Sequence, residues 1–283
     1  MRFYRLSAYC QNRLPTQHTG FCCVIFALML EMHPEIKELL DAKTAQYNRP
    51  DFIESDPICI PHRFSVKEDI EIAGFLAATI AWGNRKATIK SAKNMMQLMG
   101  NSPYDFVMAH SKDQLERFNG FVHRTFNSTD MVTFIGGLQN IYQNHGGMET
   151  VYANHVRDGF MHQGIHTFRN LMFEVEHQQR TRKHIADPMS NSAAKRIHLF
   201  LRWMVRKDNR GVDFGIWKSI SPANLSCPLD VHSGNVARRL GLLTRKYDDG
   251  KALAELDSQL RALDPDDPVK YDYALFGLDL EKF

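Results

Sequence analysis

Long apolar runs are scarce in this 283-residue chain. The stretch most like a membrane or targeting signal, FCCVIFALML at 21–30, has ten residues, whereas a helix crossing a bilayer needs about 20. A secretory signal tolerates that length, but the EMHPEIKELLDAK that follows has no small-residue cleavage site and continues as a helix. Residues 1–31 are therefore read as an N-terminal extension, either loosely ordered or an upstream translation, with Met29 and Met32 as alternative starts. Paired cysteines are also missing. Cys10, Cys22, Cys23, Cys59 and Cys227 include no C-x-x-C pair, and none follows Cys227. This excludes a disulfide framework or a cysteine-held metal cluster and points to a reducing, cytoplasmic setting. A large charge of one sign is absent too, because the net charge is only +3. The distribution is uneven, however. Residues 195–218 carry seven Lys/Arg against two Asp, and residues 260–283 carry three against six acids. Local basicity of this kind is what a phosphate-facing surface needs.

No comparable run alternates with period two, and there is no repeat, low-complexity run or long linker. What is present is helical spacing. EIKELLDAKTAQY at 35–47, KEDIEIAGFLAATIAW at 67–82, KATIKSAKNMMQLM at 86–99 and DMVTFIGGLQNIYQNH at 130–145 place apolar residues three and four apart. Further helices are expected at about 147–177, 192–206, 233–243, 250–263 and 268–277, with loops at 47–64, 178–191 and 206–213. The expected fold class is all-α, with residues 32–283 forming one unit of two helical lobes.

Two stretches carry candidate chemistry. In CPLDVHSGNVARRLGLL at 227–243, Asp230 sits at a helix start, where its plainest role is to accept hydrogen bonds from free backbone amides. In SNSAAKRIHLFLRWMVR at 190–206, a Ser/Asn cap is expected and Lys195 falls in the first turn. There the positive end of the helix dipole disfavours the ammonium form, and such a lysine serves as an amine nucleophile. Its plainest role is that of a solvated surface lysine. Trp203 and Trp217 are expected in the core. His123 and Arg124 are open to two readings, lining a pocket or stabilising a turn.

The run around Asp230 resembles the segment of the helix-hairpin-helix DNA glycosylase superfamily in which Val-Asp-x-His-Val-x-Arg-Val carries the catalytic aspartate. Asp230 falls on that aspartate and His232 on the histidine two positions later, with Val236 and Arg238 continuing the helix. EIAGFLAATIAWGNRKATIKSAKNMMQLMGNSPYDFVMAH at 71–110 is similar to the superfamily's opening unit, with Trp82, Asn84 and Arg85 at the tip of a DNA-inserting turn. Lys195 then matches the Schiff-base lysine of the bifunctional branch. The glycine hairpin of that branch, Leu-Pro-Gly-Val-Gly-x-Lys, is replaced by MSNSAAKR, and the iron–sulfur cysteines of the endonuclease III branch are absent. The gap from Lys195 to Asp230 is comparable to that of the archaeal 8-oxoguanine glycosylases. From about residue 32 the whole chain looks most like a bacterial family known as a domain of unknown function, carried by YNRPDFIESDPI, HRTFN, LRWMVR and DPVKYDYALFGL.

The resemblance implies a fold of two helical lobes flanking a cleft. It implies base excision by Lys195 and Asp230 on double-stranded DNA, by a monomer working without cofactor or metal and away from any membrane. Trp82, Asn84 and Arg85 would fill the gap left by an extruded base, and Arg196, Arg202 and His232 would bind the substrate. Arg206 and Lys207 are further candidates for phosphate contacts. Two other readings are open: a non-catalytic nucleic-acid-binding helical protein, and a metal-dependent hydrolase anchored on Asp230 and His232.

Overall fold

Apolar residues at helical spacing form helices where they are expected, and the loops hold most of the differences. The computed structural model describes residues 34–283; FCCVIFALML and both alternative starts lie outside the described residues. The order begins with α1 (Pro34–Tyr47), α2 (Asp51–Glu54), α3 (Lys67–Thr79), α4 (Arg85–Leu98), α5 (Pro103–Ala109) and α6 (Lys112–Leu115). A small antiparallel hairpin, β1 (Val122–His123) and β2 (Phe126–Asn127), precedes α7 (Ser128–Asn144), α8 (Met148–Ala153) and α9 (His162–Met172). The chain ends with α10 (Lys195–Val205), α11 (Val231–Arg239), α12 (Gly250–Leu263) and α13 (Asp272–Leu280). The protein is thus mostly helical. Among the described residues no helix is long and apolar enough to cross a membrane.

Three expectations change at points where local backbone chemistry overrides periodicity. The helix expected over 147–177 divides into α8 and α9, because Asp158 (φ 52) and Gly159 (φ 78) turn the chain through an Arg157–Phe160 bridge. The hairpin at 122–127 is too short for period-two alternation to show. Helix α10 starts at Lys195 rather than at the Ser/Asn pair. Its cap is Ala194, in the left-handed region at φ 42, with no side-chain cap bond.

Buried apolar side chains fall into two clusters. The larger joins α3, α4, α7, α9 and α10 around Phe75, Phe134, Phe168, Phe200 and Trp217, and Trp203 is buried within it as expected. The smaller joins α1, α11, α12 and α13, bringing Leu40 from the front of the chain against Leu256 and Leu275 near its end. Helices α1 and α13 cross closely because Gly277 has no side chain. A Cβ there would stand 2.1 Å from the Tyr47 ring. Helix α10 spans both clusters: Ala193, just before it, belongs to the smaller and Phe200 to the larger. Its first turn therefore emerges where the clusters meet.

Candidate functional site

At that meeting point lies a cleft of about 770 Å³ lined from both clusters. Lys195 and Asp230 face each other across it, with Lys195 Nζ 3.1 Å from Asp230 Oδ2. Each side chain keeps one third of its surface exposed, so both remain accessible to a molecule in the cleft.

The two oxygens of Asp230 have separate partners. Oδ1 accepts from the amides of His232 at 2.9 Å and Ser233 at 3.1 Å, and the Asp230 amide donates to Ser233 Oγ at 2.9 Å. This reciprocal cap closes the start of α11. Oδ2 is left to Lys195. Burial raises the carboxyl, but the Lys195 charge and the Ser233 amide pull harder the other way, so Asp230 titrates below the ordinary aspartate range. The cap and the candidate catalytic role are compatible because they use different atoms.

Lys195 is positioned by a turn without glycine. Asn191 (φ 61) and Ala194 (φ 42) both take left-handed conformations, which for alanine costs about 1–2 kcal/mol. The turn is pinned to the start of α12. The Gly250 amide donates to Asn191 O at 2.9 Å, the Lys251 amide to Asn191 Oδ1 at 3.2 Å, and Asn191 Nδ2 to Asp249 Oδ2 at 3.3 Å. Strain directly before a cleft lysine, held by bonds to a second element, is typical of a functional site.

The other expected residues distribute unevenly. Trp82 and Arg85 line the same cleft, Arg196 stacks its guanidinium 4.7 Å from the Trp82 ring centre, and Arg85 lies 4.8 Å over Phe276. Arg196 Nη1 donates to Thr79 O, and burial lowers its guanidinium to about 10. His232 lines the rim, exposed, with Nδ1 3.0 Å from Asp279 Oδ2. Asn84 is not in the cleft wall; it caps α4 by accepting from the Ala87 amide at 3.1 Å.

Arg202 lines the cleft as well, but its guanidinium is taken up by carboxylates instead of standing free for a phosphate. It is 2% exposed, with Nε donating to Asp213 Oδ1 at 3.3 Å and Nη1 to Asp272 Oδ2. Arg206 is likewise buried, between Asp213, Asp208 and Asp267. The excess positive charge of 195–218 is thus partly neutralised inside the fold, by acids near in space and partly distant in sequence. Among the described residues no three His, Cys, Asp or Glu side chains converge as a metal site.

Sequence reasoning missed Phe52, Asp56, His184, Asp272 and Phe276, all lining the cleft. Phe52 and Phe276 stack edge to face at 5.3 Å, opposite ends of the chain meeting in one wall. Burial raises Asp56, whose carboxylate accepts from the Ile58 amide at 3.0 Å, and lowers His184 to about 4. Asp56 alone had a local signal, an acid capping a proline-led turn.

Asp257 of α12 supports the segment leading to Asp230. It is 3% exposed, and its Oδ1 accepts from the Cys227 amide at 3.0 Å. Burial, opposed by hydrogen bonds from Ser226 and Cys227, pushes the carboxyl from 3.8 up to about 6. Between these values the folded chain binds a proton that the unfolded chain does not. Stability from this group therefore rises as pH falls through the window and is lost as pH climbs past 6. The full difference is worth about 3 kcal/mol. Asp257→Asn is expected to stabilise the protein by about 1–3 kcal/mol at pH 8 and to flatten the pH dependence between 4 and 6. Urea unfolding at a series of pH values checks this. An equal effect at pH 4 and pH 8 would count against the charge as cause.

Comparison with known proteins adds a family without an activity. A family model described as a protein of unknown function (DUF2400) matches residues 56–281, which include every cleft residue named above except Phe52. No curated protein and no solved structure matches the chain. None of these comparisons links it to the glycosylase superfamily that the sequence resembles.

Proposed function

The chain belongs to the DUF2400 family of proteins of unknown function, and we propose from its cleft that it is a DNA glycosylase with lyase activity, excising a damaged base through Lys195 and Asp230. The observation that carries this reading is the 3.1 Å approach of Lys195 Nζ to Asp230 Oδ2 in an open cleft. Thirty-five residues of sequence separate the pair, and both fall on the positions that the resemblance marked. Trp82 with Arg196, and Phe276 with Arg85, add flat cationic and aromatic surfaces in the same cleft, which suit a base taken out of the stack.

In this reaction the amine nitrogen of Lys195 attacks the sugar C1′. The bond from C1′ to the base nitrogen breaks, and its electron pair leaves with the base. The proton released by the amine is relayed through Asp230 to the departing base. As the C1′–N bond lengthens, the sugar becomes electron-poor, and the Asp230 carboxylate stabilises that charge. The C1′–O4′ bond then breaks with its electron pair going to O4′, which takes the second amine proton; this leaves an imine between C1′ and Lys195, and loss of a C2′ proton with departure of the 3′ phosphate cleaves the strand. No step changes an oxidation state in a way that needs an external oxidant or reductant.

Borohydride reduction of the protein mixed with a duplex containing an abasic site tests the reading, because reduction converts the imine to a stable amine. A covalent protein–DNA adduct is expected with the wild type and none with Lys195→Ala. Salt-sensitive duplex binding without an adduct would instead identify a non-catalytic binding protein. An adduct undiminished in Lys195→Ala would remove the assignment of the nucleophile.

A further inference from the structure

Helix α4 carries cations on an exposed face. Lys86, Lys90 and Lys93 are all exposed, and their spacing of four and three residues stacks them on successive turns, about 4.5–6 Å apart along the axis. From 81 to 104 the chain has Arg85, Lys86, Lys90 and Lys93 and no Asp or Glu. Among the described residues none of these three lysines has a carboxylate partner. The helix begins at the cleft, since Gly83 and Arg85 line it.

Beside that end sits the β1–β2 hairpin. His123 Nδ1 lies 3.0 Å from Ser91 Oγ of α4, and Arg180 Nη2 donates to Thr125 O at 2.7 Å. With His123 paired to Phe126, the turn has two residues, Arg124 and Thr125. Such turns favour glycine or asparagine where φ is positive. Here Arg124 takes φ 55 and is exposed. Its guanidinium lies against Gly83 (φ 83), where a Cβ would stand 2.3 Å from Arg124 Nη1. A strained arginine and a glycine thus combine to hold one cation at the rim of the cleft. Among the described residues Arg124 has no carboxylate partner, and a cation kept exposed in a disfavoured conformation points to a use outside the fold.

We infer that Arg124 and the Lys86–Lys90–Lys93 face of α4 form a track for the phosphate backbone of duplex DNA, leading the strand to the cleft. This rests on the proposed nucleic-acid chemistry of the cleft, but its test does not depend on that chemistry. Fluorescence anisotropy of a short, undamaged duplex is measured against salt concentration. Each phosphate contact contributes about 0.9 to the slope of log affinity against log salt. The combined variant Arg124→Asn, Lys86→Gln, Lys90→Gln, Lys93→Gln is expected to lower the slope by about 3–4 and weaken binding about 10²-fold or more at physiological salt. Arg157→Gln, outside the track, is expected to leave the slope unchanged. Arg124→Asn alone is expected to lower the slope by about one while leaving Tm unchanged or raising it by about 1–3 °C, because asparagine accepts positive φ.

No duplex binding by the wild type, an unchanged slope in the combined variant, or a fall in Tm for Arg124→Asn would overturn the track. The outcomes separate it from the excision chemistry. A borohydride adduct with an unchanged slope ends the track and keeps the lyase, whereas a lost slope without any adduct keeps the track and ends the lyase.

Discussion

Asp230→Asn is expected to leave the protein folded while slowing adduct formation on an abasic duplex by about 10²–10⁴-fold, the range for loss of a positioned acid–base group. The two halves of this outcome follow from the division of labour within one carboxylate. Asparagine is as good a helix cap as aspartate, so its amide oxygen inherits the Oδ1 bonds to the amides of His232 and Ser233. Its NH₂ group then replaces Oδ2 and turns donors toward the Lys195 amine, which sits 3.1 Å away in the native pair. It can neither accept the amine proton nor stabilise a cationic sugar. Asp230→Ala removes both functions and is expected to cost a further 0.5–2 kcal/mol or about that in stability through loss of the cap. Single-turnover trapping and urea unfolding of the two variants give the comparison. A wild-type rate in Asp230→Asn would show that the carboxylate takes no part, and equal destabilisation by both variants would show that Oδ1 does not act as the cap.

Arg202→Ala is expected to have the largest effect on stability, a loss of about 3–5 kcal/mol. Arg202 faces Asp213 and Asp272 from a position that is 2% exposed, and its guanidinium lies 4.2 Å from the Tyr273 ring centre. Asp213 retains Arg206 through Oδ2 at 3.0 Å, but Asp272 loses the cation bonded to it and keeps only the more distant pull of Lys195. Burial already pushes the Asp272 carboxyl up to about 6 even against the pull of Arg202. Without Arg202 the group must take up a proton or stay charged in a site that does not solvate it. Because a native domain holds only about 5–15 kcal/mol in reserve, the loss is readily seen as a fall in the urea midpoint. The double variant Arg202→Met, Asp272→Asn removes both charges and is expected to recover more than half of the loss. A loss below about 1 kcal/mol in Arg202→Ala would contradict the assignment of an uncompensated buried charge. Because Arg202 and Lys195 share α10, and Asp272 opens α13 beside the cleft, this pairing also sets the cleft's floor.

Helical periodicity made most of the fold legible. The expected stretches at 35–47, 86–99 and 250–263 agree with α1, α4 and α12 to within a residue or so, because each buries one apolar stripe. Where a turn depends on single residues in unusual conformations, as at Asp158 and Gly159, periodicity carries no information and the expected helix was too long. The same limit applied to the hairpin, whose two-residue strands are stabilised from outside by Ser91 and Arg180.

For the cleft, a local signal existed for most residues at the start of a helix, Asp272 of α13 being the exception. Asp230, Lys195 and Arg85 stand at such starts, and Trp82 precedes one. Arg202 looked like its neighbours Arg196 and Lys207 in sequence, yet it is buried because Asp213 and Asp272 approach from other segments. Phe52 and Phe276 had no signal at all, being apolar residues far apart in the chain.

By itself, the order of residues determined most of the helices and the cap at Asp230, since these depend on contacts within a few residues; the turn that places Lys195 at the start of α10 is held by bonds to α12. Only tertiary structure decided which charges meet. Electrostatic pairing and burial depend on distance in space, and folding brought α1 to α13, Lys195 to Asp230 and Arg202 to Asp272. That is why one cation of α10 faces an open cleft while another, seven residues on, is sealed among carboxylates.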